Sequence, residues 1–533
     1  MTPAPAGRSS APPPARPEEP LTVARNVSTR YLAIGVELMV GVLLLPFNIA
    51  HLGKAAYGLW MLTASITTYF SVLDLGYSGA LVKFVAHYRA KRDVHALNEI
   101  LSTTFLLFAA FGILTYAMAI VLAVFLDRLF RLTPEQAHLG RIVLLVITVQ
   151  VAGGTVFSVF GAVINGLQRY DLNNLVGALS SIAAAIANVA VLLLGGGLAA
   201  LVVATTSVRV LTYWIYRHNA YRVFPQMELR PRRFSYARLR EVTGFSIYML
   251  IIDWANKLNY SVDALVIGVF LNTSAVAVWS VGQRLAEATQ RLTNQLNDVL
   301  FPTIVDNDAS SRRMRLQTIF LVGTRLSLAS VLPIGGVLIL SATPLVLAWV
   351  GPDFLGSVLI VRLLAFTVII RVANATAMTL LKAAGWHRLV AWTNVSTAAV
   401  NLSLSIVLVR PFGLGGVAMG TLGPVSVAAV LVIFPAACRR VGLSVWQAFT
   451  DALWPALWPA GVMALYVAAT QGLVAASFVA VAAHMASAAA VYAATFLFFA
   501  VSQRERQFYF SKVIELVSHW RTAPAPAALS EGA

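Results

Sequence analysis

The stretch ILSTTFLLFAAFGILTYAMAIVLAVFL (100–126) contains no charged residue. It is longer than the roughly 20 apolar residues that an α-helix needs to cross a bilayer. Similar apolar runs recur along the whole chain of 533 residues, which is 59% hydrophobic and only 11% charged. Soluble domains typically carry about 25% charged residues, and they cannot bury this much apolar surface. The sequence therefore predicts an all-α, polytopic membrane protein.

The apolar runs predict about fourteen transmembrane helices, and the polar segments between them predict the domain organisation. The longest internal polar stretch lies near the middle of the chain and separates the first six predicted helices from the rest. We expect two six-helix bundles and two further helices. The predicted segments are a disordered tail (1–24), a first bundle (25–217), a basic linker (218–240), a second bundle (241–436), two additional helices (437–502) and a C-terminal tail (503–533).

Basic residues are distributed unequally between the two sides of the predicted membrane. The formal net charge is +17, and basic clusters such as Arg89, Lys91 and Arg92 follow alternate apolar runs. Positive residues concentrate on the cytoplasmic side of membrane proteins, so we predict that both termini are cytoplasmic. Short clusters between apolar runs do not form the continuous basic face of a nucleic-acid-binding protein, so no nucleic-acid partner is expected.

The eighth predicted helix carries an unusual stripe of polar side chains. Their spacing of three and four residues puts them on one helix face. Each charge inside a bilayer costs about 2.5–3.5 kcal/mol on insertion scales, so this face must meet protein or water. Glu287 can pair with Arg284 or Arg291, which leaves the face net positive. It is either a structural ion-pair ladder or a cationic wall for an anionic substrate. The stripe comprises Gln283, Arg284, Glu287, Gln290, Arg291, Asn294, Asn297 and Asp298.

Polar faces recur on three further helices of the second bundle. The seventh helix carries Asp253 and Lys257, one turn apart, and Arg371 lies near the middle of the tenth helix. In the eleventh helix, Asn394, Thr397, Asn401 and Ser405 share one face. The predicted substrate-binding residues are Arg284, Arg291, Lys257, Arg371, Glu287 and Asn294.

Carboxylates in the predicted helices are candidates for coupling transport to protons or another cation. A carboxylate buried among few partners can take up and release a proton. Glu37 is the first candidate, Asp74 the second, and Asp253 a third. A helix–helix hydrogen bond is the alternative role for Glu37 and Asp74, and partial neutralisation by Lys257 is the alternative for Asp253. Other charged residues lie near predicted helix ends, where their side chains can reach the headgroups. These are Lys83, Arg209, Arg325 and Arg362.

Two regions resemble the polysaccharide-transporter family of the multidrug/oligosaccharidyl-lipid/polysaccharide (MOP) superfamily. The first is LGKAAYGLWMLTASITTYFSVLDLGYSGALVKFVAHYRAKRD (52–93), with Tyr57-Gly58, Trp60 and the run 73–76. The second is VDALVIGVFLNTSAVAVWSVGQRLAEATQRLTNQLNDVLFPTIV (262–305), with Asp263 and Pro302. The resemblance implies a MATE-like fold with alternating access between two bundles.

The resemblance also implies a function. It points to a flippase of the bacterial inner membrane that moves undecaprenyl-pyrophosphate-linked oligosaccharide for O-antigen or exopolysaccharide synthesis. Membrane lipids, a polysaccharide polymerase and chain-length proteins would be its partners. A lipid II flippase and a cation-coupled multidrug exporter of the same superfamily remain alternatives. A membrane enzyme of glycan assembly is disfavoured because the outside loops are short.

Several chemistries are not expected from this sequence. The single cysteine, Cys438, excludes an intramolecular disulfide and a metal site built from several cysteines. The sequence also lacks the G-x-x-x-x-G-K-[ST] loop that binds nucleotide phosphates. We therefore predict no catalytic residues, no metal and no cofactor.

Overall fold

The computed structural model describes residues 19–74, 76–243, 262–309, 313–503 and 505–507, and these are almost entirely helical. Ten helices in the described part are long and apolar enough to cross a bilayer. The predicted all-α, polytopic membrane fold is thus confirmed. Two of the ten are each divided by a glycine with non-helical backbone angles, Gly53 or Gly413. The count of fourteen spans is compatible with these helices and stays a prediction.

The first compact unit comprises the described residues within Met1–Gly53, Ile66–Arg128 and Thr133–Asp253. Within it α4 packs against α2, α3 and α6. Phe108 of α3 and Val159 and Val163 of α4 are fully buried in its core. The helices that contribute to this unit are α1 (Glu19–Phe70), α2 (Tyr77–Ala90), α3 (Val94–Val124), α4 (Pro134–Gly166), α5 (Tyr170–Leu193) and α6 (Leu198–Val223).

The polar segment after α6 is held against this first unit by side chains of α3. Asn98 donates from Nδ2 to the carbonyl of Gln226 at 2.8 Å, and its Oδ1 accepts from the backbone N–H of Glu228 at 2.9 Å. Ser102 donates to the carbonyl of Glu228 and accepts from the N–H of Arg230. These contacts satisfy backbone groups that would otherwise lack partners in a segment without regular structure. The predicted linker is therefore an ordered part of the first unit.

An ion-pair network completes this attachment. Arg238 contacts Glu99 of α3 at 3.2 Å and Glu241 at 3.1 Å. Tyr88 of α2 donates to the Glu241 carboxylate at 2.8 Å. Burial and this hydrogen bond raise the pKa of Tyr88 above its ordinary value, so the phenol stays protonated and remains a donor.

The second compact unit comprises the described residues within Lys54–Ser65, Leu129–Leu132 and Trp254–Ala533. The part of α1 between Lys54 and Ser65 belongs here because Gly58 lies against the chain at Thr273, where any Cβ would overlap the Thr273 carbonyl. Residues 262–270 are helical. The further helices are α7 (Thr273–Ala309), α8 (Arg313–Leu340), α9 (Ala342–Trp349), α10 (Ser357–Ala373), α11 (Ala375–Ala383), α12 (His387–Val427), α13 (Phe434–Val441), α14 (Trp454–Thr470) and α15 (Phe478–Thr495).

The last two helices are packed against α8 of the second unit. Arg325 of α8 forms an ion pair with Glu505 at 2.8 Å and donates to the carbonyl of Asp451 at 2.6 Å. One guanidinium thus binds both the beginning and the end of the C-terminal helix pair. These protein partners satisfy its charge, and the expected reach of Arg325 to the headgroups stays a prediction.

A glycine substitution tests the turn inside α1. Gly53 has φ 77° and ψ 164°, a region that is essentially restricted to glycine. We expect Gly53→Ala to destabilise the protein by about 1–3 kcal/mol, the usual cost of such strain. Gly35→Ala is the matched control, because the added Cβ also meets nothing within 4 Å but the backbone there is helical. Thermal unfolding of both variants in detergent checks this; a Gly53→Ala melting temperature at or above that of Gly35→Ala would contradict it.

Candidate functional site

The polar face of α7 begins with a ladder of side-chain hydrogen bonds. Trp279 donates from Nε1 to Gln283 Oε1 at 3.1 Å, and Gln283 donates from Nε2 to Glu287 Oε1 at 2.9 Å. Each step is four residues, so the three side chains stack along one face. The hydrogen bond described for Glu287 comes from Gln283. The expected pairing of Glu287 with Arg284 or Arg291 stays a prediction. Glu287 lies at the end of the ladder, and its side chain is exposed.

Arg284 is half-buried and lies beside the segment of α1 that belongs to the same unit. Its Nη2 is 3.5 Å from the sulfur of Met61, which is a weak acceptor. Its Nε is buried and has no hydrogen-bond partner in the described part of the chain. A buried donor without a partner costs about 1–3 kcal/mol. This guanidinium therefore retains the capacity to bind an acceptor such as an anionic oxygen.

The remaining predicted positions of the cationic wall are only partly described. Arg291 is exposed on α7. Asn294 lies in the same helix, but its side chain is not described. Lys257 and Asp253 lie wholly outside the described residues. Their assignment to the substrate or coupling site therefore stays a prediction.

A cavity of about 40 Å³ adjoins α7 within the second unit. It brings together two of the predicted substrate-binding residues, Glu287 and Arg371, with the carboxylate of Asp263, which is not among the predicted site residues. This wall carries one cation and two carboxylates, so it is less positive than the sequence suggested. A polar cavity of this size has room for a few water molecules. Its lining comprises Asp263, Trp279, Gln283, Ala286, Glu287, Gln290, Leu364, Thr367, Val368, Arg371 and Thr421.

Asp263 is the most buried charged group of this cavity, with 5% of its surface exposed. Thr421 of α12 donates to its Oδ2 at 3.0 Å. Its Oδ1 has no hydrogen-bond partner among the described residues, and neither has Nδ2 of Asn401. Asn401 accepts from Ser405 at 3.0 Å and lies beside Thr421, 3.4 Å from its hydroxyl. A carboxylate, an amide and two hydroxyls thus supply oxygen atoms of the type that bind small hard cations or exchange protons.

The sequence indicates the members of this cluster separately, but it does not indicate that they meet. Asn401 and Ser405 were predicted to share a face of the eleventh helix, and Asp263 lies in one of the two regions that carry the family resemblance. Their proximity depends on the packing of α12 against the helix at 262–270, which helix periodicity does not predict. Within the described residues, no group of three or more His, Cys, Asp or Glu side chains is placed to hold a metal ion.

The coupling candidates of the first unit differ in their surroundings. Glu37 was expected to be a buried carboxylate, but it is exposed on α1. Asp74 accepts from both the backbone N–H and the hydroxyl of Ser78, at 3.3 and 3.0 Å. The hydroxyl oxygens of Ser78 and Ser158 of α4 are 3.0 Å apart. Through Ser78, Asp74 is linked to α4, and its assignment to coupling stays a prediction.

The family assignment follows from a sequence profile. A profile of the family described as "Polysaccharide biosynthesis protein" matches residues 23–307, which is more than half of the chain. The chain belongs to that family. One similar protein is "Probable flippase AglR" from Haloferax volcanii, which is 24% identical over 421 residues. The aligned residues make up 77% of this chain and 83% of that relative.

Solved structures of the MOP superfamily share the fold of this chain. "Lipid II flippase MurJ, inward closed conformation" matches with a TM-score of 0.70 and 13% identity, over 88% of this chain and 98% of that structure. An inward-facing multidrug resistance MATE family transporter matches with a TM-score of 0.64 and 16% identity, over 79% and 98%. The predicted family resemblance and MATE-like fold are confirmed.

The hydrogen bond to Asp263 can be tested by stability. Thr421→Val keeps the shape of the side chain and removes the donor to a buried carboxylate, so it should cost about 1–3 kcal/mol. Thr393→Val is the matched control, because the Thr393 hydroxyl bonds a carbonyl of its own helix, that of Leu389. Thermal unfolding should give a lower melting temperature for Thr421→Val; equal melting temperatures would show that this bond contributes little.

Proposed function

We propose that this protein is a flippase that moves undecaprenyl-pyrophosphate-linked oligosaccharide across the bacterial inner membrane. It would supply cell-surface polysaccharide synthesis, either O-antigen (lipopolysaccharide) or exopolysaccharide. It would act by alternating access and without a catalytic step, with both termini in the cytoplasm. The observation that carries this proposal is the charged face of α7, where Arg284 and Arg291 lie two turns apart on a helix of a membrane domain.

The chemistry of this face supports an anionic, phosphate-bearing substrate. A guanidinium binds phosphate oxygens through two parallel hydrogen bonds, which suits a pyrophosphate better than a lysine would. Arg284 has a buried Nε without a described partner, and Arg291 is exposed on the same face. An incoming pyrophosphate would supply acceptors to both. At Arg284 it would thereby remove part of the cost of burying an Nε–H without a partner.

The relatives support the class of activity. AglR of Haloferax volcanii is described as a probable flippase, and the MurJ structure is that of a lipid II flippase. Both descriptions fit a protein that moves a lipid across a membrane. Lipid II therefore remains an alternative substrate for this chain. The polysaccharide polymerase and chain-length proteins remain proposed partners.

The Asp263 cavity bears on a second candidate function, the export of a cationic cargo. Carboxylates and an aromatic ring, here Asp263, Glu287 and Trp279, suit a cationic cargo, as in a cation-coupled multidrug exporter. The cavity has a volume of about 40 Å³. Pockets that hold drug-sized ligands have volumes of roughly 300–1,000 Å³, so this cavity is too small for such a cargo. We therefore assign this cavity to a proton or a small coupling cation rather than to cargo.

Arginine substitutions test the substrate site. The double variant Arg284→Ala/Arg291→Ala should lower glycan export at least tenfold, since each charge-assisted contact contributes about 1.5–3 kcal/mol and each 1.4 kcal/mol is a factor of ten. Arg388→Ala, which removes an exposed arginine at the beginning of α12, is the control. Surface glycan is measured in cells at matched membrane levels of each variant. Export that survives the double substitution would exclude the cationic wall.

Carboxylate substitutions test coupling. Asp263→Asn removes the charge with little change in shape, and we expect it to abolish the response of transport to an imposed ion or pH gradient in reconstituted vesicles. Glu37→Gln should weaken the response to the pH gradient. Asp353→Asn is the control, because Asp353 lies exposed in the segment between α9 and α10. A gradient response unchanged in both variants would remove these two residues from the coupling mechanism.

A further inference from the structure

The polar segment that follows α6 carries a strong positive charge. Residues 224–240 contain five arginines and one glutamate, so their formal net charge is +4. Two of these arginines are held by carboxylates of the first unit. Arg238 forms the ion pairs with α3 and the segment itself that are described above, and Arg233 contacts Glu228 at 2.6 Å. These two stabilise the segment, and the other three are available for another role.

The three other arginines are exposed, and two aromatic rings are exposed beside them. Arg230 has 66% of its side chain exposed, although its Nε is 3.5 Å from the same glutamate. Arg232 and Arg240 are exposed as well. Phe234 is 47% exposed and Tyr236 is 76% exposed. Arginines and large aromatic side chains thus share the free surface of this segment.

The opposite side of the segment is turned toward α2 and α3. Residues 236–243 are helical, and Tyr236 and Arg240 are four residues apart, so they lie on one face. Arg238, from the other side of this short helix, contacts side chains of α2 and α3. Val242, on that same side, is buried in the core of the first unit. The face with Tyr236 and Arg240 therefore points away from the protein.

A hydrogen bond to α3 places the segment close to the edge of the hydrocarbon. The backbone N–H of Ser235 donates to the hydroxyl of Thr103 at 3.0 Å. Residues 100–124 of α3 contain no charged side chain. They span roughly 36 Å, against about 30 Å for the hydrocarbon core, and Thr103 lies roughly 5 Å from their beginning. Ser235 and its neighbour Phe234 therefore lie near the boundary between hydrocarbon and headgroups.

This depth favours a lipid as the partner of the exposed side chains. Aromatic rings are enriched at the level of the headgroups, where one side of the ring is apolar and the other is wet. A guanidinium binds phosphate oxygens through two parallel hydrogen bonds. A soluble acidic protein would complement the arginines, but it would not account for aromatic rings at the edge of the hydrocarbon. An anionic lipid accounts for both.

We propose that this exposed surface binds the headgroups of anionic phospholipids and thereby fixes the depth of the first unit in the bilayer. The aromatic rings enter the interface, and the arginines contact the lipid phosphates. The hydrogen bonds to α3 hold the backbone in place, so that binding orders only side chains. This role does not depend on the cargo that the protein moves. The lipid-binding surface comprises Arg230, Arg232, Phe234, Tyr236 and Arg240.

The test is lipid binding by the full-length protein in detergent, with bound lipids counted by native mass spectrometry. The probes are phosphatidylglycerol and phosphatidylcholine with the same acyl chains, and we expect the wild type to prefer phosphatidylglycerol. Arg230→Gln/Arg232→Gln should weaken phosphatidylglycerol binding at least tenfold and leave phosphatidylcholine binding unchanged, since each arginine near an anionic surface accounts for roughly a factor of five. Arg230→Lys/Arg232→Lys keeps both charges and should keep most of the preference.

Two further variants separate this surface from the general positive charge of the protein. Arg89→Gln/Lys91→Gln is the matched control, because it removes two exposed charges at the neighbouring end of α2. It should bind both lipids as the wild type does. Phe234→Ala/Tyr236→Ala should weaken the binding of both lipids, because the rings contact the part that the two lipids share.

Several results would overturn the proposal. The first is a preference for phosphatidylglycerol that survives Arg230→Gln/Arg232→Gln. The second is an equal loss in Arg89→Gln/Lys91→Gln, which would reduce the effect to net charge. The third is a wild type that shows no lipid preference but binds a polyglutamate peptide through these arginines, which would assign the surface to an acidic protein. Should the glutamine variant fail to fold, Arg230→Lys/Arg232→Lys compared with Phe234→Ala/Tyr236→Ala decides, because a lipid-binding surface requires the rings as well as the charges.

Discussion

The structure depends on one constraint: hydrocarbon offers no hydrogen-bond partner, so each polar group inside the bilayer must find one in the protein. The helices meet this requirement for the backbone. Buried threonines meet it by donating to the carbonyl four residues earlier, as Thr63, Thr104 and Thr148 do. A polar side chain whose hydrogen-bonding capacity is not met in this way is therefore informative.

Charged groups fall into two classes under this constraint. Arg325 and Arg238 are surrounded by carboxylates and carbonyl groups that satisfy them, and they connect segments of the chain. In the described residues, the charged side chains that have a buried atom without a partner are Asp263 and Arg284. Both belong to the second unit, beside or near the cavity at α7. The first class stabilises the fold, and the second is available for a ligand.

The sequence predicts the fold class and the family because both follow from the length and spacing of apolar runs and from local motifs. It also predicts which helices carry polar faces. It does not predict which faces meet, because contacts between distant helices depend on tertiary packing. For this reason Asp263 was passed over, although its neighbours Asn401 and Ser405 were recognised as a polar face. Glu37 was expected in a buried environment and is exposed for the same reason. The residues Lys257 and Asp253 lie outside the described structure.

The double attachment of Arg325 has a mechanical consequence. The Asp451 carbonyl precedes α14, and the Glu505 carboxylate follows α15, so the two partners of this guanidinium lie at opposite ends of the terminal helix pair. A single break in the connection between α14 and α15 would therefore leave each half bonded to the same side chain of α8.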